Sequence, residues 1–538
     1  MNQTYDVIII GGGATGAGIA RDCSLRGIKA LLLERSDIST GATGRNHGLL
    51  HSGARYAVTD HESAVECIRE NMILRRIAAH CVEETDGLFI TLPEDGLDYQ
   101  ARFVEACRKA GIRADVLDPE EARRLEPAAN PSLIGAVRVP DGAVDPFRLT
   151  SSNILDATAH GAEIRTYTEV RELIREQDRI VGVKAYDYRT HAELEFRAQV
   201  VVNAGGIWGH GIAAKAGITV NMLPAKGALL IFGHRVNRMV LNRCRKPADA
   251  DILVPGDTIS LIGTTSSKIP YDQIDNMIIT PDEVDLLLRE GEKLSPLLAR
   301  TRILRAYAGV RPLVDDDPSG RTVSRGIVLL DHATRDGMEG FITITGGKLM
   351  TYRLMAEWAT DLICKKIGND GKCRTAEIPL PGSTESREEV DRKTRNKPIA
   401  QRRSSIARHG ALATRIDGTD SIKNSLVCEC EEVSIGEVEY ALENLSVNNL
   451  VDLRRRTRVG MGTCQGELCA CRAAGLMGRK DPVCARKAKA DLVSFLNERW
   501  KGMAPIAWGD TLRESEYTTW VYESVCGLSD ETQKTAAK

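Results

Sequence analysis

The chain has 538 residues, more than one hydrophobic core usually organises, so two or more domains are expected. Lys and Arg total 72 against 74 Asp and Glu, a net charge of -2, which argues against a polyanion-binding chain and against nucleic acid as a partner. Apolar runs such as Val7 to Ile10 fall far short of the ~20 residues of a spanning helix, and no basic-then-apolar leader opens the chain, so the sequence predicts a cytoplasmic protein unable to cross a membrane alone.

Tyr5 to Ile10 reads as a buried strand, followed by Gly11-Gly12-Gly13-Ala14-Thr15-Gly16, a helical pattern to Gly27 and a second strand ending at Glu34 and Arg35. In this βαβ fingerprint Gly11 permits the tight turn, Gly13 lets backbone approach a pyrophosphate and Gly16 allows close helix packing. The helix N-terminus supplies N–H donors and a positive dipole end. Glu34 suits two ribose hydroxyls and would repel a 2′-phosphate, which favours FAD or NAD over NADP.

Three later segments favour FAD. Thr40-Gly41-Ala42-Thr43-Gly44-Arg45-Asn46-His47-Gly48 offers many backbone donors directly after the second strand. Val200 to Asn203 opens into Ala204-Gly205-Gly206, and Gly340 to Thr345 opens into Gly346-Gly347-Lys348; both are strands that end in small residues where a flat ligand can pass.

Arg55, Tyr56, Arg311, Arg325 and Lys348 all stand beside Gly or Pro or within such motifs, which places them on loops or strand ends. Arginine forks grip phosphate bidentately and Tyr or Lys adds a further donor, the set a small phosphorylated alcohol needs. His51 and His234 are both candidates for the base, and Lys348 or Arg311 for stabilising a developing alkoxide.

From Gly368 to Asn424 the chain is polar and punctuated, a linker or helical bridge. Seven of the 14 cysteines lie beyond it. Cys428-Glu429-Cys430 and Cys464 to Cys469 form two close pairs, and four thiolates can hold either zinc or an iron-sulfur cluster. Three remain, Cys526 in the tail together with Cys471 and Cys484; Cys471 could replace a neighbouring ligand but is expected to pack. The tail carries Trp500, Trp508 and Trp520, suited to an interface or to clasping the chain's own domain.

Residues 5 to 365 resemble the FAD-dependent glycerol-3-phosphate dehydrogenases of the D-amino-acid-oxidase-like superfamily. The carrying motifs are Gly11 to Gly16, His51-Ser52-Gly53-Ala54-Arg55-Tyr56, Pro224-Ala225-Lys226-Gly227, Ile262-Gly263-Thr264-Thr265, Ala308-Gly309-Val310-Arg311-Pro312-Leu313 and Thr345 to Arg353. The C-x-C and C-x4-C pairs resemble the small helical [2Fe-2S] domains related to bacterioferritin-associated ferredoxin. With both, the chain resembles the catalytic subunits of the bacterial anaerobic enzymes.

The resemblance implies an α/β fold: a Rossmann-type FAD-binding domain interleaved with a β-rich substrate domain, plus a small helical cysteine-ligated domain. The expected boundaries are 1–366 for the flavin and substrate domain, 367–425 for the bridge, 426–485 for the iron-sulfur domain and 486–538 for the tail. It further implies oxidation of glycerol 3-phosphate to dihydroxyacetone phosphate with hydride transfer to FAD. Electrons would pass through [2Fe-2S] to partners, a second flavin subunit together with a membrane-anchored iron-sulfur subunit, then to quinone at the cytoplasmic face of the inner membrane. Competing readings are an amino-acid or opine dehydrogenase of the same superfamily, and a non-catalytic flavoprotein whose cysteines hold zinc.

Overall fold

The computed structural model describes residues 3–314, 326–416, 420–479 and 482–528. Arg325, expected to touch substrate, lies outside the described residues, as does the side chain of Cys484.

The first strand, Gln3–Ile10, is the middle of an eight-stranded sheet, parallel to Ala30–Leu33 on one side and to Ala192–Asn203 on the other. Phe341–Gly346 runs parallel beside the end of Ala192–Asn203. Both faces of the central strand are covered, which is why Tyr5 to Ile10 reads as a continuous apolar run. Val7 and Ile9 pack with the helices Ala14–Leu25 and Tyr352–Ile367, through Ala17, Ala20, Ala359 and Ile363. Ile8 and Ile10 face the other way, toward Val183 and Phe196 of the antiparallel strands Arg179–Asp187 and Ala192–Asn203.

A second, nine-stranded sheet forms the β-rich half. Its long strands Met222–Phe232 and Ile303–Val314 pair antiparallel, with Gly227 opposite Gly309 and Phe232 opposite Ile303. The chain crosses between the two sheets several times, so the halves are interleaved, and the middle of this strand pair, at Gly227 and Gly309, meets the C-terminal edge of the parallel strands. That edge is where open α/β sheets bind ligands.

The segment after Gly368 is no exposed tether. It forms helices Arg387–Lys393 and Ile399–His409 and buries Leu380, Val390 and Ala413. Its main tie to the cysteine-bearing domain is a buried ion pair: Arg408 donates to both oxygens of Glu437, at 2.6 and 2.8 Å, and His409 Nε2 lies 2.8 Å from the same carboxylate. Burial alone would raise the Glu437 carboxyl, but Arg408 and then His409 outweigh it and hold it down at about 2. A depressed carboxyl contributes stability above its unfolded value near 4.5, and that contribution is lost as pH falls toward 2. Glu437→Gln leaves Arg408 buried and uncompensated, at an expected cost of ~3–5 kcal/mol. Denaturant melts at neutral pH check this; unchanged melts would show that the pair is solvated.

The C-terminal domain builds its core from Val427, Val433, Val438, Leu453, Leu492 and Phe495. Helices Pro482–Met503 and Gly509–Trp520 then return to the β-rich sheet, where Thr511 Oγ1 donates to Ile303 O at 2.7 Å and Arg305 Nη2 to Glu498 O at 2.9 Å. The tail therefore clasps its own chain, yet Trp500, Trp508 and Trp520 remain 48 to 59 % exposed. No described helix is long and apolar enough to cross a membrane.

Candidate active site and cysteine centre

A cleft of about 560 Å³ opens where the glycine-rich turn, the Thr40–Gly48 loop and the second sheet meet. Helix Ala14–Leu25 begins at Gly13 with no side-chain cap and no acidic residue in its first turn, so its N-terminal field is left for a ligand. Gly11 has φ +116°, and a Cβ there would meet Ala204 O at 2.5 Å; a Cβ on Gly16 would meet Gly11 O at 1.9 Å. Gly16→Ala must therefore push the turn open, costing ~1–3 kcal/mol, and the protein is expected to purify with a reduced flavin-to-chain ratio. A full flavin complement would refute that reading of the turn.

Glu34, half-buried just past the second strand, accepts from Gly12 N at 2.7 Å and Ser36 N at 2.8 Å, which aims it along the cleft wall. Ala14 N donates to Thr43 Oγ1 at 3.0 Å, fixing the following loop over the turn. Arg35 stacks on Trp208, with its guanidinium carbon 4.5 Å from the ring centroid, and pairs with Asp275 at 2.6 Å. Trp208 follows the Val200-to-Gly206 segment, but its stacking on a residue 173 positions away carries no local signal in the sequence.

Of the expected cofactor residues, Gly11, Gly13, Ala14, Thr15, Glu34, Arg35, Thr40, Thr43, Ala204, Gly205, Gly346, Gly347 and Lys348 line this cleft. Gly16 lies behind it as packing, and Gly44 lines the neighbouring cavity. An uncapped helix end, a carboxylate at ribose distance along the chain and a long cleft are the donor set an FAD molecule requires, so the residues present fit that cofactor.

His51, Tyr56, Arg311 and Lys348 gather at the other end of the same cleft. The His51 and Tyr56 rings are 5.5 Å apart, and Lys348 Nζ lies 4.7 Å from the Tyr56 ring centroid. Lys348 Nζ also donates to Ser63 Oγ at 3.0 Å, a support 285 residues distant that sequence could not reveal. Arg311 donates to Thr264 Oγ1 and to Thr265 O, and Gly227 opposite leaves the space its guanidinium occupies. His47, 6.0 Å from His51, is pushed down to about 3 by burial and then by Arg55 and Arg311. Since Leu49 N donates to its Nδ1 at 3.2 Å, His47 is a neutral ring that carries its proton on Nε2.

Two expected residues are not brought into this group. His234 is exposed in the turn beyond Phe232, seven residues past Gly227 and so roughly 20 Å along an extended strand from the cleft. Arg55 is spent on Asp251 Oδ1 at 2.6 Å and Ala248 O at 2.9 Å and does not line the cleft. Its carboxylate partner, 196 residues away, is the feature that the motif alone concealed.

In the C-terminal domain the four paired cysteines converge. Cys430 Sγ is 3.7 Å from Cys428 Sγ and 3.8 Å from Cys464 Sγ, and Cys469 approaches both Cys428 and Cys464. Backbone N–H groups of Glu431 and Gly460 point at Cys428, and those of Gly466 and Leu468 at Cys464, and each favours the thiolate there. Thiolates that accept backbone N–H bonds are the environment of an iron-sulfur centre, so this nest fits the group. Cys471 is not part of it: exposed, it faces Cys526 with sulfurs 3.7 Å apart.

Comparison with known proteins agrees with both sites. Residues 6–353 match the family described as FAD dependent oxidoreductase, and residues 426–479 match the BFD-like [2Fe-2S] binding domain. The chain is 67 % identical over 527 residues to a subunit of the anaerobic glycerol-3-phosphate dehydrogenase of Haemophilus influenzae, covering 98 % of this chain and 94 % of that one. It is 65 % identical over 532 residues to the Escherichia coli protein of the same name, covering 98 % of each. Among solved structures, the glycerol-3-phosphate dehydrogenase of Bacillus halodurans complexed with FAD superposes with a TM-score of 0.70 at 22 % identity, covering 93 % of this chain and 96 % of that one, a likeness of fold.

Proposed function

Because the chain belongs to the FAD-dependent oxidoreductases and, over nearly its whole length, to the family of these anaerobic glycerol-3-phosphate dehydrogenase subunits, we propose that it oxidises sn-glycerol 3-phosphate to dihydroxyacetone phosphate. The observation that carries the reading is one continuous cleft with a dinucleotide cradle at one end and His51, Tyr56, Arg311 and Lys348 at the other.

FAD, when bound, supplies the acceptor for the hydride that leaves the carbinol carbon. Arg311 and Lys348 hold the phosphate and hydroxyl oxygens, two cations fixed by Thr264, Thr265 and Ser63 before substrate arrives. His51 is the base that takes the hydroxyl proton, being the expected histidine that the fold brings to the cleft. His47 stays neutral beside it and keeps a second positive charge away from that proton. Cys428, Cys430, Cys464 and Cys469 hold the [2Fe-2S] cluster, which carries single electrons onward when bound.

Those electrons leave for partners: a second flavin subunit, with a membrane-anchored iron-sulfur subunit that delivers them to quinone. The three exposed tail tryptophans beside the cysteine domain supply a surface for such an assembly. The test is an anaerobic spectrum of the purified chain with glycerol 3-phosphate. Bleaching of the flavin band with partial cluster reduction is expected; an oxidised flavin unmoved by this substrate but bleached by an amino acid would overturn the assignment.

A further inference from the structure

A second cavity, of about 1150 Å³, shares the Thr40–His47 loop as a wall with the flavin cleft and has Cys430 in its lining. Nine arginines line it, and three of them come from three separate parts of the fold: Arg45 from the loop, Arg305 from the strand Ile303–Val314 and Arg454 from the helix Leu450–Thr457 of the cysteine domain. Arg305 is only 8 % exposed, and its Nη1 and the Nε of Arg454 are buried with no hydrogen-bond partner among the described residues. Glu498 lies 4.0 Å from Arg305 Nη2, while Arg455 is already spent on Asp37 at 2.9 Å.

Elsewhere in the lining Arg148 and Arg458 pair with Asp257 and Arg235 with Glu83, so the charge of Arg45, Arg305 and Arg454 is offset chiefly by Glu498. Burial, followed by the charges of neighbouring arginines, lowers both Arg305, to about 10, and Arg454. Buried positive charge that is incompletely offset costs several kcal/mol, so a cavity bordered by it favours an anion. Phosphate near neutral pH carries close to two negative charges and several acceptor oxygens that match arginine forks.

We propose that this cavity is a second, non-catalytic site for a phosphate dianion, either free phosphate or the phosphate group of a small ester, held by Arg45, Arg305 and Arg454. An anion there ties the cysteine domain to the flavin loop across the gap between the two redox centres. Occupancy then reports phosphate or phosphoester levels to the junction that electrons must cross, separately from the substrate end of the flavin cleft.

Equilibrium dialysis under anaerobic conditions, with labelled inorganic phosphate and with labelled glycerol 3-phosphate, tests this on the full-length holoprotein. In an Arg311→Met background, which disables the substrate end, one probe is expected to bind at one per chain. That binding should weaken at least tenfold when either Arg305→Met or Arg454→Met is added, the loss of one charge-assisted pair. Two variants on separate elements guard against misfolding of one. Binding of phosphate itself identifies the free ion as ligand, and binding of the ester alone identifies a metabolite. Failure of both probes to bind the Arg311→Met protein, or binding that survives both added substitutions, overturns the proposal. Because dialysis needs no turnover, a failed substrate assignment would show in the flavin spectrum and leave this result readable.

Discussion

Arg311→Met is expected to lower kcat/KM for glycerol 3-phosphate by roughly 10²–10³-fold while leaving flavin content unchanged. The guanidinium is anchored by Thr264 and Thr265 at the substrate end of the cleft, whereas the dinucleotide cradle is built from Gly11, Glu34 and Thr43, on other elements. How the loss divides is informative. A grip on the phosphate is the same in ground and transition states and shows as a raised KM; a contact to the developing alkoxide exists only in the transition state and shows in kcat. Arg311→Lys should restore part of the first effect, since a point charge still attracts phosphate, and little of a bidentate grip. A change of less than about threefold in both constants would remove Arg311 from the site.

The parts of this molecule that were readable from sequence are those whose physics is local. A turn followed by a helix and an acid at a fixed spacing needs no partner from elsewhere, so Gly11 to Gly16 and Glu34 lie as expected. The two cysteine pairs likewise announce themselves, because thiols two and five residues apart can only approach one another. What stayed hidden depends on distant chain. Arg55 offers the same motif whether it points at substrate or at Asp251, and only the fold decides. His234 was a candidate by residue type alone, yet it lies two residues beyond Phe232, which pairs with Ile303, while Gly227 beside the cleft pairs with Gly309. The polar composition after Gly368 left a linker and a helical bridge both open; the segment forms two helices, its few apolar residues, Leu380, Val390 and Ile406, face inward and Arg408 is answered across the interface by Glu437.

Cys430→Ser separates the two halves of the reaction. Cys430 touches both neighbouring thiols of the nest, and Gly462 leaves it space that a Cβ would fill, at 2.5 Å from its sulfur. A serine oxygen is a harder and far less acidic ligand than a thiolate, so iron and labile sulfide per chain should fall sharply and the cluster's visible absorbance with them. The flavin cleft shares no side chain with the nest, so glycerol 3-phosphate should still bleach the flavin at close to the wild-type rate. Turnover with a soluble dye that takes electrons directly from flavin should persist, whereas turnover that needs onward transfer to quinone in the assembled enzyme should drop by at least about 10²-fold, since the two-electron carrier no longer has a one-electron outlet. Quinone reduction that survives loss of the cluster would mean that electrons leave the flavin by another route and that the cysteine centre is structural. Loss of substrate bleaching together with the cluster would mean instead that the nest is needed to hold the flavin half in its active form, through contacts such as Arg302 Nη2 to Thr463 O at 2.8 Å.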